Sequence, residues 1–133
     1  MRAALLAGVL LLVGCATPAP TLEQTFWASR AAFNETHAGY NRFIQADNTQ
    51  VVSCYLAHKG TKPADLKLKC PPAVSLERRQ QALVIIQSAQ TELTELDMAF
   101  QVSPDIDAKF ISEGLGKLES LSLQLILMSQ EGH

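Results

Sequence analysis

Residues 21–43, TLEQTFWASRAAFNETHAGYNRF, have the pattern of an amphipathic helix. Large and mostly apolar side chains recur there at alternating spacings of four and three: Leu22, Phe26, Ser29, Phe33, Thr36, Tyr40 and Phe43. That spacing lines one face of an α-helix. Thr21 and Gln24 have the capping-box spacing, in which each side chain bonds the other's backbone N–H. The stretch therefore predicts a helix that starts at Thr21 and buries an aromatic face.

The same helix has two possible ends. Apolar side chains resume after Asp47-Asn48 with Val51, Val52, Tyr55 and Leu56. Either one long helix runs to about His58, or a break occurs near Asn48. Gly39 costs up to about 1 kcal/mol relative to Ala inside a helix. We expect the long, continuous helix.

Two further helices follow on the C-terminal side of a loop. Ser75 is placed to cap the second helix, and Ser103-Pro104-Asp105 provides a cap, a first-position proline and an acidic first turn for the third. Their apolar stripes are Ala82, Ile86, Ala89, Leu93, Leu96 and Phe100, then Ile111, Leu115, Leu118, Leu121, Leu125 and Met128. No segment alternates with the period of a strand. The prediction is an all-α, antiparallel three-helix bundle with a long first helix.

The N-terminus has the layout of an export signal. Arg2 supplies a positive charge, and residues 3–14 form an apolar run of 12. A membrane-spanning helix needs about 20 residues, so this run does not predict a permanent span. Residues 16–20, Ala-Thr-Pro-Ala-Pro, predict a linker, because Pro18 and Pro20 each lack a backbone donor.

Leu12-Val13-Gly14-Cys15 resembles the lipobox of bacterial lipoproteins. The resemblance implies that residues 1–14 are a signal peptide cut before Cys15, whose thiol then carries acyl chains such as palmitate. Residues 15–20 would be the acylated cysteine and short linker, and residues 21–133 a single helical domain. Ala16, in place of the Asp that marks inner-membrane retention in this class, implies the outer membrane, facing the periplasm. The alternative is an ordinary signal peptide with an incidental cysteine.

With Cys15 acylated, two cysteines remain, Cys54 and Cys70. In an exported protein an even remainder suggests a disulfide, which would close the loop at residues 59–73. Linking about 15 residues stabilises a fold by roughly 3 kcal/mol in the chain-entropy model. His58 lies one helical turn after Cys54, so a zinc site of Cys54, His58 and Cys70 is the alternative. A fourth ligand is missing from the pattern, and we expect the disulfide, no metal and no other cofactor.

Composition and motifs argue against several function classes. Without Arg2, ten basic side chains remain beside 13 acidic ones, and no basic cluster of the kind that tracks phosphates is present. We therefore expect no nucleic-acid partner. Four loop lysines form the one local basic concentration: Lys59, Lys62, Lys67 and Lys69. They predict a solvated loop or, alternatively, a weak contact to anionic lipid. The chain lacks a nucleophile elbow, a His-Glu-x-x-His motif and a phosphate loop, so we expect no enzyme.

Some large apolar residues lie outside the three core stripes. Trp27 lies next to the apolar stripe of the first helix but is not part of it. In the third helix, the apolar stripe is widened by Leu123, Ile126 and Leu127. We expect Trp27 to face the membrane, with the bundle rim and a contact to a protein partner as the alternatives. The group from Leu123 to Met128 would face a protein partner, a second subunit, or residues 51–56 of the first helix.

These features predict a lipid-anchored envelope protein that works as a non-catalytic interaction or structural module. Its acyl chains would anchor it in the membrane, and its helical domain would contact a protein partner or a second copy of the chain. One alternative is a phage- or plasmid-type exclusion lipoprotein that blocks a receptor or entry machine. Another is a carrier for a small apolar ligand or lipid. A carrier needs an internal cavity of several hundred Å³, whereas an interaction module needs a filled core and an exposed apolar patch.

Overall fold

The computed structural model describes residues 18–102 and 107–130, which form four helices. They are α1 (Leu22–Ala57), α2 (Pro63–Lys69), α3 (Leu76–Val102) and α4 (Ala108–Gln130). These described residues contain no strand, which confirms the all-helical class. The loop that the sequence predicted at residues 59–73 contains a short helix, α2.

α1 is continuous for 36 residues, and the predicted capping box is present at its start. Thr21 Oγ1 accepts from the Gln24 N–H at 3.1 Å, and Gln24 Oε1 accepts from the Thr21 N–H at 2.9 Å. The alternative of a break near Asn48 is wrong. The side chains of Asp47 and Asn48 bond partners outside α1, so they do not compete for the helix's own backbone groups.

The later helices begin with side-chain caps. Ser75 Oγ accepts from the Arg78 N–H at 3.3 Å, as expected for the start of α3. α4 begins at Ala108, after Asp107, whose carboxylate accepts from the Lys109 N–H at 2.9 Å. This start is four residues later than the one predicted at Pro104. The predicted signal Ser103-Pro104-Asp105 lies outside the described residues.

α1, α3 and α4 all pack on one another and share two buried clusters. One cluster consists of Phe33, Tyr40, Ala82, Ile86, Ala89, Leu118 and Leu125. The other consists of Phe26, Leu96, Ile111 and Leu115. All of these residues lie on the predicted helical stripes, and all except Tyr40 are apolar, so the core stripes are confirmed. Within residues 18–102 and 107–130, no helix combines the length and apolar content needed to cross a bilayer.

Candidate functional site

The two cysteines join the end of α1 to the segment after α2. Cys54 lies in the last turn of α1, and Cys70 directly follows α2. Their Cα atoms are 5.7 Å apart, within the usual disulfide range of about 4.4–6.8 Å, and the two sulfurs lie at bonding distance. Cys70 is buried, with 3% of its surface exposed. The predicted pairing therefore closes the loop between α1 and α3.

His58 lies against this disulfide. Its Nδ1 is 3.9 Å from the Sγ of Cys54 and 4.0 Å from the Sγ of Cys70. It is also 2.9 Å from the backbone oxygen of Cys54, to which it donates. The three residues of the alternative zinc site thus converge, with ligand atoms all within 4.8 Å of one another. Zinc binds cysteine as the thiolate, and sulfurs bonded to each other offer no thiolate, so this arrangement acts as a covalent link.

Asp47 forms a second link between α1 and the segment before α3, which we name the Asp47 latch. Its carboxylate accepts from the backbone N–H groups of Ala73 (2.8 Å) and Val74 (3.2 Å) and from Arg79 (2.6 Å). Arg79 also donates to Asn48 Oδ1 at 2.8 Å. Only 4% of Asp47 is exposed. The latch holds the chain after Cys70 against α1 at a point two turns before the disulfide.

The surroundings of Asp47 determine its charge. Burial acts to raise the pKa of this carboxyl, but the hydrogen bonds from Ala73 and Val74 and the nearby Arg79 guanidinium outweigh burial, and the pKa is lowered. The carboxylate is therefore ionised at neutral pH and is satisfied by three donors. Tyr40 lies two turns before Asp47 on α1, and burial raises the pKa of its hydroxyl against the opposing charge of Arg79.

Sequence reasoning missed the Asp47 latch, although a signal was available. If the four-three spacing is continued beyond Phe43, it reaches Asp47 after four residues and Cys54 after seven more. An acidic residue at a stripe position is a buried carboxylate, which needs donors from elsewhere in the chain. We interpreted Asp47-Asn48 only as a possible helix break.

Trp27 is half exposed and lies at the end of the molecule where α1 begins. Its ring packs edge-on against buried Phe26, with ring centres 5.1 Å apart, and Phe26 contacts Phe100 of α3 at 5.2 Å. The guanidinium of Arg30 lies over the Trp27 ring, 5.3 Å from its centre. Part of the Trp27 side chain thus packs on the buried ring of Phe26, and 50% of its surface remains exposed.

Leu123 and Leu127 lie one turn apart on α4, on the face opposite buried Leu125. Each is 55% exposed. Val52 and Leu56 of α1 are also more than half exposed, at 55% and 57%. This exposure favours the surface interpretation of the two leucines over packing against the end of α1.

An open groove adjoins Leu127. It lies between α3 and α4 and has a volume of about 540 Å³. Val84, Ile85, Leu127 and Met128 supply its apolar lining, and Arg78, Gln81 and Gln124 its polar rim.

Cys15, the predicted acylation site, lies outside the described residues, as do the rest of residues 1–17. The lysines of the loop, Lys59, Lys62, Lys67 and Lys69, are all exposed and lie near the end of α1 opposite to Trp27. No protein-family model, curated protein or solved structure matches this chain.

Proposed function

We propose that this chain is a lipid-anchored lipoprotein of the bacterial envelope whose helical domain is a non-catalytic interaction or structural module. The observation that carries the proposal is the sequence Leu12-Val13-Gly14-Cys15, placed directly after an apolar run of export-signal length. Thr21, the cap of α1, follows Cys15 by only six residues. Six extended residues reach at most about 20 Å, so the acyl chains would hold the domain close to the bilayer, on the periplasmic side of the outer membrane.

We further propose that α1, α3 and α4 form an antiparallel up-down-up bundle, with α2 in the first connection. Ion pairs between the helices support this order. Arg30 near the start of α1 pairs with Asp97 near the end of α3 at 3.7 Å, whereas Asp47 farther along α1 pairs with Arg79 near the start of α3. Lys117 of α4 pairs with Glu92 of α3 at 3.4 Å.

An interaction module accounts for the packing better than a carrier does. Large side chains from three helices fill the two core clusters, with Phe26, Phe33, Leu96, Ile111, Leu118 and Leu125 almost fully buried. The grooves beside them, such as one of about 670 Å³ between α1 and α4, open to solvent. A carrier for an apolar ligand needs an enclosed volume of this size. Exposed Leu123 and Leu127 would then serve a protein partner or a second copy.

Mutation of Cys15 tests the anchor. Cys15→Ser removes the thiol that would be acylated, so we expect unprocessed or released protein in fractionated cells and no acyl mass on the N-terminal peptide. The double variant Cys54→Ser with Cys70→Ser is the matched control, because it removes the two other cysteines and keeps Cys15. It should still be acylated and membrane-bound. A Cys15→Ser protein that is cleaved and retained in the membrane like the wild type would overturn the proposal.

A further inference from the structure

We propose that one end of the domain, the apolar tip formed by Leu22, Trp27, Val102 and Phe110, docks into the interface of the lipid bilayer. This inference rests on the proposed anchor at Cys15 and deepens it, because it names the surface that meets the membrane. The tip residues come from three different helices, α1, α3 and α4. Their exposed fractions are 39%, 50%, 83% and 43% in that order.

The core places these four residues at the same end of the molecule. Phe26, Leu96 and Ile111 meet in one buried cluster, so the start of α1, the end of α3 and the start of α4 lie together. Trp27 is adjacent to Phe26, and Phe110 is adjacent to Ile111. Val102 ends α3, beyond Phe100, whose ring contacts that of Phe26. The cluster thus carries a set of large apolar side chains on its solvent side.

The short linker between Cys15 and Thr21 places this end of the domain, the apolar tip, next to the bilayer. α1 begins immediately after Thr21, six residues from Cys15, so the start of α1 lies within about 20 Å of the acyl chains. The disulfide end of α1 is 36 residues away, which corresponds to about 54 Å along the helix axis at 1.5 Å per residue. Of the two ends, the apolar tip is the one that the short tether holds at the membrane.

The chemistry of the tip suits the interfacial region of a bilayer. Tryptophan is favoured where one edge is apolar and the other is wet, as at the level of lipid headgroups. The nearby cations are balanced by anions: Arg30 pairs with Asp97, and Lys109 lies 3.9 Å from Glu113. Glu23 adds a negative charge in the first turn of α1. Among the described residues, the tip therefore carries no excess positive charge for anionic headgroups, and it contacts lipid through its apolar side chains.

Trp27 reports on this contact directly, because it is the single tryptophan of the chain. The acylated wild-type protein is reconstituted into phosphatidylcholine vesicles that contain lipids with a quencher either near the headgroup or deep in the acyl chain. We expect a blue-shifted Trp27 emission, stronger quenching by the shallow quencher, and protection from acrylamide. The same result is expected with phosphatidylglycerol added and at high salt, since apolar contact is not screened.

A variant pair tests whether the whole tip takes part. Val102→Ser with Phe110→Ser removes two apolar contacts and keeps the reporter, so quenching by lipid should fall at least several-fold while the helical circular dichroism is retained. Leu123→Ser is the matched control on the outward face of α4, and it should leave the quenching unchanged. If the double variant does not fold, the depth and salt dependence of the wild-type quenching still decide the question.

Different outcomes separate the inference from its premise. Absence of an acyl mass on Cys15 would overturn the anchor and the docking together. Acylated protein with a Trp27 that acrylamide reaches freely and lipid does not quench would overturn the docking alone. Quenching that requires anionic lipid and disappears at high salt would also overturn it, in favour of charge recognition. Protection from acrylamide without quenching by lipid would indicate a protein contact, which again contradicts the inference.

Discussion

At the scale of single residues, Asp47 shows how a buried charge can stabilise a connection between helices. In the folded protein, two backbone N–H groups and one guanidinium take the place of water around its carboxylate, and each donor lies 3.2 Å or less from a carboxylate oxygen. Removing one partner from such a group leaves the others unsatisfied, which costs about 1–3 kcal/mol per group. The latch and the disulfide together fix the short segment that leads from α2 into α3.

The lowered pKa of Asp47 predicts a loss of stability in acid. The folded-state pKa is below the ordinary value of 3.8, so the stabilisation is complete above pH 3.8 and is lost as the pH falls through the lower folded-state pKa. Asp47→Asn should lower the free energy of unfolding at neutral pH by about 1–3 kcal/mol. It should also flatten the decline in stability as the pH falls below 3.8, because one carboxylate no longer titrates. Urea unfolding followed by circular dichroism at several pH values measures both effects.

Asp97→Asn is the control for this prediction. Asp97 pairs with Arg30 at 3.7 Å, and both side chains are about a third or more exposed. Exposed ion pairs contribute about 0–1 kcal/mol, so this variant should behave nearly like the wild type. Equal losses in the two variants would show that the Asp47 latch has no special role.

At the scale of helices, two glycines of α4 differ in their surroundings. A Cβ on Gly114 would lie 2.7 Å from Leu96 Cδ2 and 2.8 Å from Glu92 Oε1, both on α3. A Cβ on Gly116 would meet no atom within 4 Å. Gly114 therefore allows α3 and α4 to approach closely, whereas Gly116 is a surface position that only weakens the helix.

These surroundings predict opposite effects for the same substitution. Gly114→Ala should lower the free energy of unfolding by about 1–3 kcal/mol, because buried Leu96 has little room to move. Gly116→Ala should raise it by up to about 1 kcal/mol through helix propensity. Thermal or urea unfolding of the two variants provides the measurement. A gain in stability for both would mean that α3 and α4 are not in close contact at Gly114.

At the scale of the whole molecule, the exposure of Leu123 and Leu127 leads to a prediction about association. Leu123→Ser with Leu127→Ser should change the free energy of unfolding by no more than about 1 kcal/mol, since surface substitutions away from special features have small effects. Cross-linking to a partner protein, or self-association in sedimentation experiments, should decrease. Leu125→Ala is the comparison in the same helix: Leu125 is fully buried, so its truncation should cost about 2–5 kcal/mol.

Two results would argue against this surface. A loss of stability in the double serine variant as large as that of Leu125→Ala would show that Leu123 and Leu127 belong to the core. Unchanged stability together with unchanged association would show that they contact no partner under the conditions used.

Local sequence signals determined the helical elements and most of the core. The capping box at Thr21 and Gln24, the Ser75 cap and the four-three stripes depend on residues within one or two turns, so they could be interpreted without knowledge of the fold. The pairing of Cys54 with Cys70 also followed from the sequence, once Cys15 was assigned to acylation. That acylation, the envelope location and the interaction role remain predictions.

Tertiary structure decided which side chains each helix presents to its neighbours. Asp47 became a latch because Ala73, Val74 and Arg79, 26 to 32 residues later, bring their donors to it. Gly114 became a contact point, and Leu123 and Leu127 became surface, only when α3 and α4 took their places. A helical stripe predicts that one face is buried, but its width and its partners depend on how closely other helices approach. Those distances are set by packing between segments that are far apart in the chain.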